Sequence, residues 1–330
     1  MDFNFLSGLS QKYNNEGIFS LSGFCKSKKH ISLLFMRIIL LLLSAVLLHA
    51  GCKRQATHRD DIFQNGRVQG VLDNPVIDEA SGLVASHANS GMLWTHNDSG
   101  DKARIFLIDS VGKYQATVWL RGATNRDWED ITLGAGPQPD NTYIYIGEIG
   151  DNLAQYPHKS IYRIKEPKFT GDTTISIDEV DSIRFVLPDG NRDTEALMID
   201  PQTKDLYIFS KREAAINLYR LPYPQSTTEM MIAEKVLDAM PFTLIVAADW
   251  SADGKEILIK SYKQVYYWQL KKDQPLNEVL SESPEILPYD EEPQGESIAF
   301  ALDGSGYYTL SEYAKGVMPT LMFYPRSKQE

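Results

Sequence analysis

The chain has 330 residues, of which 43% are hydrophobic, and it contains 17 Tyr, 13 Phe and 5 Trp. A hydrophobic core of ordinary size can therefore form, and the aromatic content favours β-structure. The formal net charge of −11 excludes nucleic acid as the expected partner, because a phosphate backbone attracts a basic surface.

The first segment with a clear pattern is IILLLLSAVLLHAGC, residues 38–52, which follows Met36 and Arg37. An apolar run of about a dozen residues after a basic residue is typical of a secretory signal, and it is short for a membrane span. Residues 1–51 are therefore predicted to be a signal region, and the chain starts at Met1 or, if that start is over-long, at Met36.

The end of this run, Ala50-Gly51-Cys52, resembles the processing site of bacterial lipoproteins. His49 stands where that family prefers Leu. The resemblance implies a lipid on Cys52 that anchors the protein in a membrane, in the bacterial cell envelope, facing the periplasm or the cell surface. An ordinary secretory peptide and an uncleaved anchor are the alternatives. Cys25 is the only other cysteine, so neither a disulfide framework nor a cysteine zinc site is expected.

Residues 52–65 are predicted to be a polar tether, and residues 66–330 a single domain built from a repeated unit of about fifty residues. Each unit opens on a small or acidic residue and continues as an apolar strand, a polar turn and a second strand rich in Tyr, Ile and Leu. The five openings are 79–98, 129–151, 195–213, 246–262 and 296–313.

A third strand follows every opening, and outer strands follow the first four at 114–120, 182–187, 234–240 and 285–289. Four antiparallel strands at this period match the blade of a β-propeller. The sequence thus predicts an all-β propeller of five blades, or of six if the long second unit hides another. A pair of β-sandwiches is the competing fold. The last unit lacks an outer strand, so GRVQGVLD (66–73) is predicted to join it and close the ring.

The first strand of each propeller blade lines the central channel, so residues at its start surround one mouth of that channel. Glu79, Glu129, Glu195 and Glu296 are therefore predicted to be neighbours, with Val246 at the matching place in the fourth unit. Neighbouring carboxylates repel unless a cation joins them, and hard cations prefer oxygen ligands. We predict a site for Ca²⁺ or another divalent cation; the alternatives are that each Glu accepts backbone N–H bonds from the next blade, or that they share no role.

Polar clusters at the ends of the second strands, and just before two of the ring glutamates, are predicted to face one side of the disc and bind a ligand. These candidates are His96, Asn97, Asp98, Arg126, Asp127, Glu148, Asp151, Asn152, Arg192 and Asp193. Turn formation and inter-blade salt bridges are the alternative explanations.

The combination of EASGL, HNDSGD, DWEDI, GEIGDN and EALMI resembles a group of uncharacterised bacterial exported propeller lipoproteins. More distantly, the Glu-led blades are similar to phytase-like (esterase-like) propellers and to regucalcin-type lactonases. That likeness implies acidic residues near the channel that hold divalent cations, and in some members the hydrolysis of phosphate esters or lactones.

The sequence contains neither a G-x-S-x-G elbow nor a Walker loop. The expected function is therefore a monomeric, lipid-anchored propeller that binds a ligand or protein partner through its loop face. The alternative is a cation-dependent hydrolase, in which Asp98 or Asp151 activates water and Arg126 or Arg192 steadies an anion.

Overall fold

The computed structural model of the chain describes residues 57–58 and 62–328. The predicted signal region, 1–51, and the predicted lipid site, Cys52, lie outside the described residues. Within the described part, no helix is both long and apolar enough to cross a membrane.

The described residues form five antiparallel blades of four strands each, numbered here from 1 to 5 along the chain. Blade 1 consists of β3 (Ala80–Ala85), β4 (Met92–Asn97), β5 (Arg104–Asp109) and β6 (Tyr114–Leu120). Blade 2 consists of β7 (Trp128–Ala135), β8 (Thr142–Glu148), β9 (Lys159–Lys165) and β11 (Asp181–Val186). Blade 3 consists of β12 (Thr194–Ile199), β13 (Leu206–Ser210), β14 (Ile216–Leu221) and β16 (Glu234–Met240).

Blade 4 consists of β17 (Ile245–Trp250), β18 (Glu256–Ser261), β19 (Val265–Gln269) and β20 (Glu285–Leu287). Blade 5 consists of β21 (Gly295–Phe300), β22 (Gly306–Ser311), β23 (Thr320–Pro325) and, from the other end of the domain, β2 (Arg67–Val71). The inner strands β3, β7, β12, β17 and β21 contact one another in this order, and β21 contacts β3, so the ring is closed. The predicted five-bladed propeller is confirmed, and the chain does not form six blades.

Closure of the ring follows the predicted route. β2 pairs antiparallel with β23, in a register that places Arg67 opposite Phe323. The outer strand of the last blade is thus supplied by residues that precede the first blade, and the sheet edge of β23 is covered.

Four short elements were not predicted. β1 (Thr57–His58), β10 (Thr174–Ile177) and β15 (Met231–Ile232) add parallel fifth strands to blades 4, 1 and 2, and α1 (Leu276–Ser281) lies between β19 and β20. Elements of two to six residues offer too few positions for a hydrophobic period to be seen in the sequence.

The predicted tether, 52–65, needs a correction at its C-terminal end. Phe63 is fully buried, and its ring lies edge-on to Tyr267 and Tyr307, with centroid distances of 5.9 and 5.0 Å. The backbone N–H of Gln64 also donates to the carbonyl of Pro325, at 2.8 Å. Burial of this large aromatic side chain stabilises the folded state, so the propeller begins before residue 66.

Two buried aspartates connect the inner strands across the channel. One oxygen of Asp130 accepts the N–H groups of Leu197 and Ala248, at 2.9 and 3.3 Å, which joins blade 2 to blades 3 and 4. Asp249 accepts the N–H of Phe300 at 2.7 Å and joins blade 4 to blade 5. One alternative for the ring glutamates was that each accepts backbone N–H bonds from the next blade. In the structure, Asp130 and Asp249 accept bonds of this kind.

Candidate functional site

Each inner strand carries a β-bulge close to its start. The register shifts lie between Ser81 and Leu83, Trp128 and Ile131, Thr194 and Ala196, Ile245 and Ala247, and Gly295 and Ser297. Three of the bulges contain Glu129, Glu195 and Glu296, and that of blade 4 contains Val246. A bulge re-aims a side chain that the pleat would otherwise direct into the sheet, so one backbone device presents all three glutamates at the same channel mouth.

Glu79 does not share this placement. The bulged residue of blade 1 is Gly82, whose φ of 73° suits a glycine, whereas Glu79 precedes β3 and is exposed. Glu79 of E-A-S-G-L therefore lies three residues before the bulge position of its blade, whereas Glu195 of E-A-L-M-I occupies that position. Glu79 influences the mouth only through its charge, which helps to raise the pKa of Asp98 and Glu312.

The glutamates at the mouth belong to three overlapping groups of carboxylates. Within each group, one oxygen of every residue lies within 4.8 Å of the others. The groups are Asp98, Glu296 and Glu312; Asp98, Asp127 and Glu129; and Glu129, Asp193 and Glu195. We call these seven residues the acidic mouth. Asp98 and Glu129 each belong to two groups, so the carboxylates form one continuous arc.

The two buried glutamates of blades 2 and 3 share a proton. Burial raises the pKa of Glu129 well above its ordinary value, and the neighbouring Glu195 raises it further. Burial also raises the pKa of Glu195, but Lys211, whose Nζ lies 2.8 Å from its Oε2, opposes that effect. The proton therefore resides on Glu129, which donates a hydrogen bond to the ionised Glu195.

The more open side of the acidic mouth also holds protons near neutral pH. Burial, followed by nearby charges that include Glu296, raises the pKa of Asp98 to about 7. Burial and the charges of Glu296 and Asp98 raise that of Glu312 to about 9. Tyr262 donates a hydrogen bond to Glu296. A cation bound here would displace protons, since it stabilises the ionised carboxylates that burial disfavours.

The cations at the mouth are unevenly distributed. Lys211 contacts Glu195, and Arg212 approaches Asp193 with 2.5 Å between Nε and Oδ2; both bases follow β13 of blade 3. Arg192 is held by Asp189 and Glu213, at 2.9 and 2.8 Å. The basic side chains Arg192, Lys211 and Arg212 of blade 3 are thus all paired with carboxylates of the same blade.

Arg126 of blade 2 is engaged differently. Its Nε is 3.7 Å from Glu148, and its guanidinium carbon lies 3.8 Å from the ring centroid of Tyr156. Among the described residues its Nη2 has no hydrogen-bond partner. A guanidinium that is stacked but not fully hydrogen-bonded is oriented to receive an anion.

Several predicted ligand-binding residues instead hold the fold together. His96 is fully buried, its Nδ1 lies 2.9 Å from the carbonyl of Asn97, and burial lowers its pKa to about 4. Asn97 donates to the carbonyl of Val76 at 2.7 Å. Their side chains therefore serve the interior of blade 1, although they directly precede Asp98 in the sequence.

Two predicted carboxylates of blade 2 act as caps for backbone N–H groups. Glu148 accepts the N–H groups of Arg126 and Asp127 at 2.8 and 2.9 Å. Asp151 accepts those of Gln155 and Tyr156 at 2.7 and 2.9 Å. Both fix the loops that carry Arg126 and Tyr156, which supports the mouth without lining it. Asn152 is exposed in the β8–β9 loop.

Arg126 and Arg192 each precede an aspartate in the sequence, Asp127 and Asp193, and neither arginine forms an ion pair with that aspartate. Asp193 accepts the N–H of Asp151 at 2.9 Å and contacts Arg212. Asp127 is buried, and its pKa is raised by burial and by the charge of Asp193. Asp127 and Asp193 are consequently neighbours at the mouth.

Sequence reasoning assigned no individual role to Glu312, Lys211 or Tyr262, which prove to be central. All three directly follow second strands: β22, β13 and β18. The available signal was their shared position at the end of the second strand, which faces the bulge of the first strand in the same blade.

No family model matches the chain, and no curated protein matches it. Among solved structures it is similar to the Pan2 WD40 domain of Neurospora crassa, with 9% identity, 83% of this chain and 98% of that chain covered, and a TM-score of 0.42. It is also similar to the RRP9 WD40 repeats, with 11% identity, coverage of 75% and 67%, and a TM-score of 0.35. For the hydrazine synthase of Kuenenia stuttgartiensis the identity is 11%, the coverage 70% and 68%, and the TM-score 0.36. At these identities and TM-scores, the similarity gives no information about what the chain binds.

Proposed function

We propose that this chain is a lipid-anchored propeller of the bacterial cell envelope that binds a divalent cation at its acidic mouth. Through that cation and Arg126 it holds an anionic ligand or an acidic segment of a partner. The lipid anchor rests on the pattern at Ala50-Gly51-Cys52, and the binding site rests on the carboxylate arc.

One observation carries the cation site: Asp98, Glu296 and Glu312 converge, and among the described residues none of the three forms an ion pair with a basic side chain. At the blade 3 end, by contrast, Lys211 and Arg212 contact Glu195 and Asp193. Carboxylate oxygens at this spacing suit a hard cation such as Ca²⁺, which takes six to eight oxygen ligands.

The position of the cation follows from burial. Glu129, Asp193 and Glu195 are all nearly fully buried, while Asp98 and Glu312 are half-buried. A cation entering from solvent would therefore meet Asp98 and Glu312 first. An ion held there would keep coordination positions open to the loop face, where an anionic ligand would also meet Arg126.

The test is metal analysis of the purified chain after incubation with Ca²⁺ and removal of the free ion. We expect stoichiometric Ca²⁺ in the native protein and its loss in Asp98→Asn, because Asp98 belongs to two of the three groups. Asp253→Asn, at an exposed hairpin turn, is the matched control and should retain the ion. Equal retention by Asp98→Asn and the control would refute the site.

A hydrolase is the second candidate, favoured by the state of Asp98. A half-buried carboxyl whose pKa is about 7 can accept a proton from water near neutral pH. Of the residues first considered, Asp151 is occupied by a turn and Arg192 by two carboxylates. Asp98 and Arg126 are left for the roles of base and anion holder.

Turnover of p-nitrophenyl phosphate or of a simple γ-lactone would distinguish this candidate from a binding protein. Activity that a chelator abolishes, and that Asp98→Asn removes while Asp253→Asn retains it, would establish the hydrolase. Absence of turnover in the Ca²⁺-loaded protein would leave the binding function alone.

A further inference from the structure

The opposite end of the channel differs chemically from the acidic mouth. There the last residues of all five inner strands, Ala85, Ala135, Ile199, Trp250 and Phe300, line a cavity of about 410 Å³. This volume lies in the range of small-ligand sites in proteins. The cavity contains none of the residues of the acidic mouth, so it is a separate site.

The cavity is apolar in its body and acidic in its charge. Leu133 and Leu302 add to the apolar lining, and the Leu302 side chain is 42% exposed at the rim. The lining includes two carboxylates, Asp140 and Asp249, and neither lysine nor arginine. An anionic molecule would therefore meet like charge, whereas a cationic one would meet opposite charge.

Hydrogen bonds preorganise the walls of this cavity. Glu166 accepts the N–H of His87 at 3.1 Å and the hydroxyl of Thr142 at 2.6 Å, which ties together two segments of the rim. Asp249 accepts the N–H groups of Trp250 and Phe300 at 2.9 and 2.7 Å. A ligand would bind without first paying to order these loops.

We propose that this second mouth binds a small organic cation, an amine attached to an apolar ring or chain. The apolar part would fill the cavity, and the ammonium group would lie near Asp140 at the rim. Burial of apolar surface supplies most of the affinity, and the carboxylate supplies the preference for positive charge.

Three probes with the same ring separate charge from shape: benzylamine, benzyl alcohol and benzoate. Binding is followed by the NMR signal of the Trp250 indole N–H, assigned by its loss in Trp250→Phe. The titrations are run near pH 6, where Asp249, whose pKa burial raises to about 7, is mostly uncharged and Asp140 supplies the negative charge. We expect benzylamine to bind about tenfold more tightly than the alcohol, and benzoate most weakly.

The charge preference is then tested with Asp140→Asn. Asp140 has a φ of 63°, a conformation that asparagine also adopts, so the turn should be retained. In this variant the Kd of benzylamine should rise to that of benzyl alcohol, while Asp303→Asn, at a hairpin turn outside the cavity, should change nothing. Equal binding of the three probes, a preference that survives Asp140→Asn, or no response at Trp250 would each overturn the proposal.

Discussion

Blades 2 and 3 carry the same four-residue pattern, R-D-x-E, at 126–129 and 192–195, and put it to different use. In blade 3 every charge has a partner: Arg192 binds Asp189 and Glu213, Asp193 contacts Arg212, and Glu195 contacts Lys211. In blade 2 the glutamate keeps a proton and the arginine stacks on Tyr156.

Position in the repeat therefore does not decide how the charges of this pattern are paired. Both glutamates lie in a β-bulge at the same mouth, but only blade 3 follows its second strand with two bases, Lys211 and Arg212. The blade 3 copy is therefore neutralised by the fold, whereas the blade 2 copy is the one that meets the ligand in the proposed function.

The largest effect is expected from removing the base of blade 3. Lys211→Met would leave Glu195, whose side chain is 2% exposed, without its cation, and breaking a buried pair in this way costs about 3–5 kcal/mol. The matched change in blade 2, Glu129→Gln, removes a carboxyl that is already protonated and should cost less than about 1 kcal/mol. Urea unfolding of both variants measures the contrast. Similar losses in the two would show that the copies are energetically alike.

The arginines should behave in the opposite way in stability and in binding. Arg192→Ala removes a residue that bridges two carboxylates and should lower the free energy of unfolding by about 1–2 kcal/mol. Arg126→Ala loses a stacking contact and should cost less than about 1 kcal/mol. In the Ca²⁺-loaded protein, however, only Arg126→Ala should weaken binding of an anion such as inorganic phosphate, measured by calorimetry. Weaker phosphate binding in Arg192→Ala alone would reverse the assignment.

The pH dependence of stability should weaken when the cation is bound. The pKa values of Asp98 and Glu312 are raised to about 7 and 9. A carboxyl with a raised pKa in the folded state contributes stability that is present at low pH and is lost as pH rises through that value.

Without divalent cation, the melting temperature should therefore fall as pH rises from about 4, near the ordinary pKa of these carboxyls, to about 9. With excess Ca²⁺ this fall should be smaller. The increase in the free energy of unfolding that Ca²⁺ produces should grow with pH and reach about 2.7 kcal/mol at a hundredfold excess over Kd. A Ca²⁺ effect that does not depend on pH would mean that the ion displaces no protons at the mouth.

The parts of the fold that could be predicted were those with long, repeated patterns. The outer strands of blades 1 to 4 appear where the apolar runs indicated them, and the closing strand β2 takes the place of the outer strand that the last unit lacks. The convergence of Glu129, Glu195 and Glu296 followed from the same repeat, because equivalent positions in a ring are neighbours in space.

The remaining features depend on pairings that one strand alone does not encode. Glu79 is displaced from the arc because blade 1 forms its bulge at Gly82, and a bulge is defined by the register with the partner strand. The inter-blade bonds of Asp130 depend on which N–H groups lie opposite it after closure. The caps formed by Glu148 and Asp151 resemble binding residues in sequence, because carboxylates serve both purposes.

The most direct test is anomalous diffraction from crystals grown with Mn²⁺ in place of Ca²⁺. The proposed function requires an anomalous peak at the acidic mouth, bounded by Asp98 and its partners in the first two carboxylate groups, and its absence from crystals of Asp98→Asn. A mouth that holds only water in the presence of Mn²⁺, or a peak bound elsewhere on the propeller, would contradict the account.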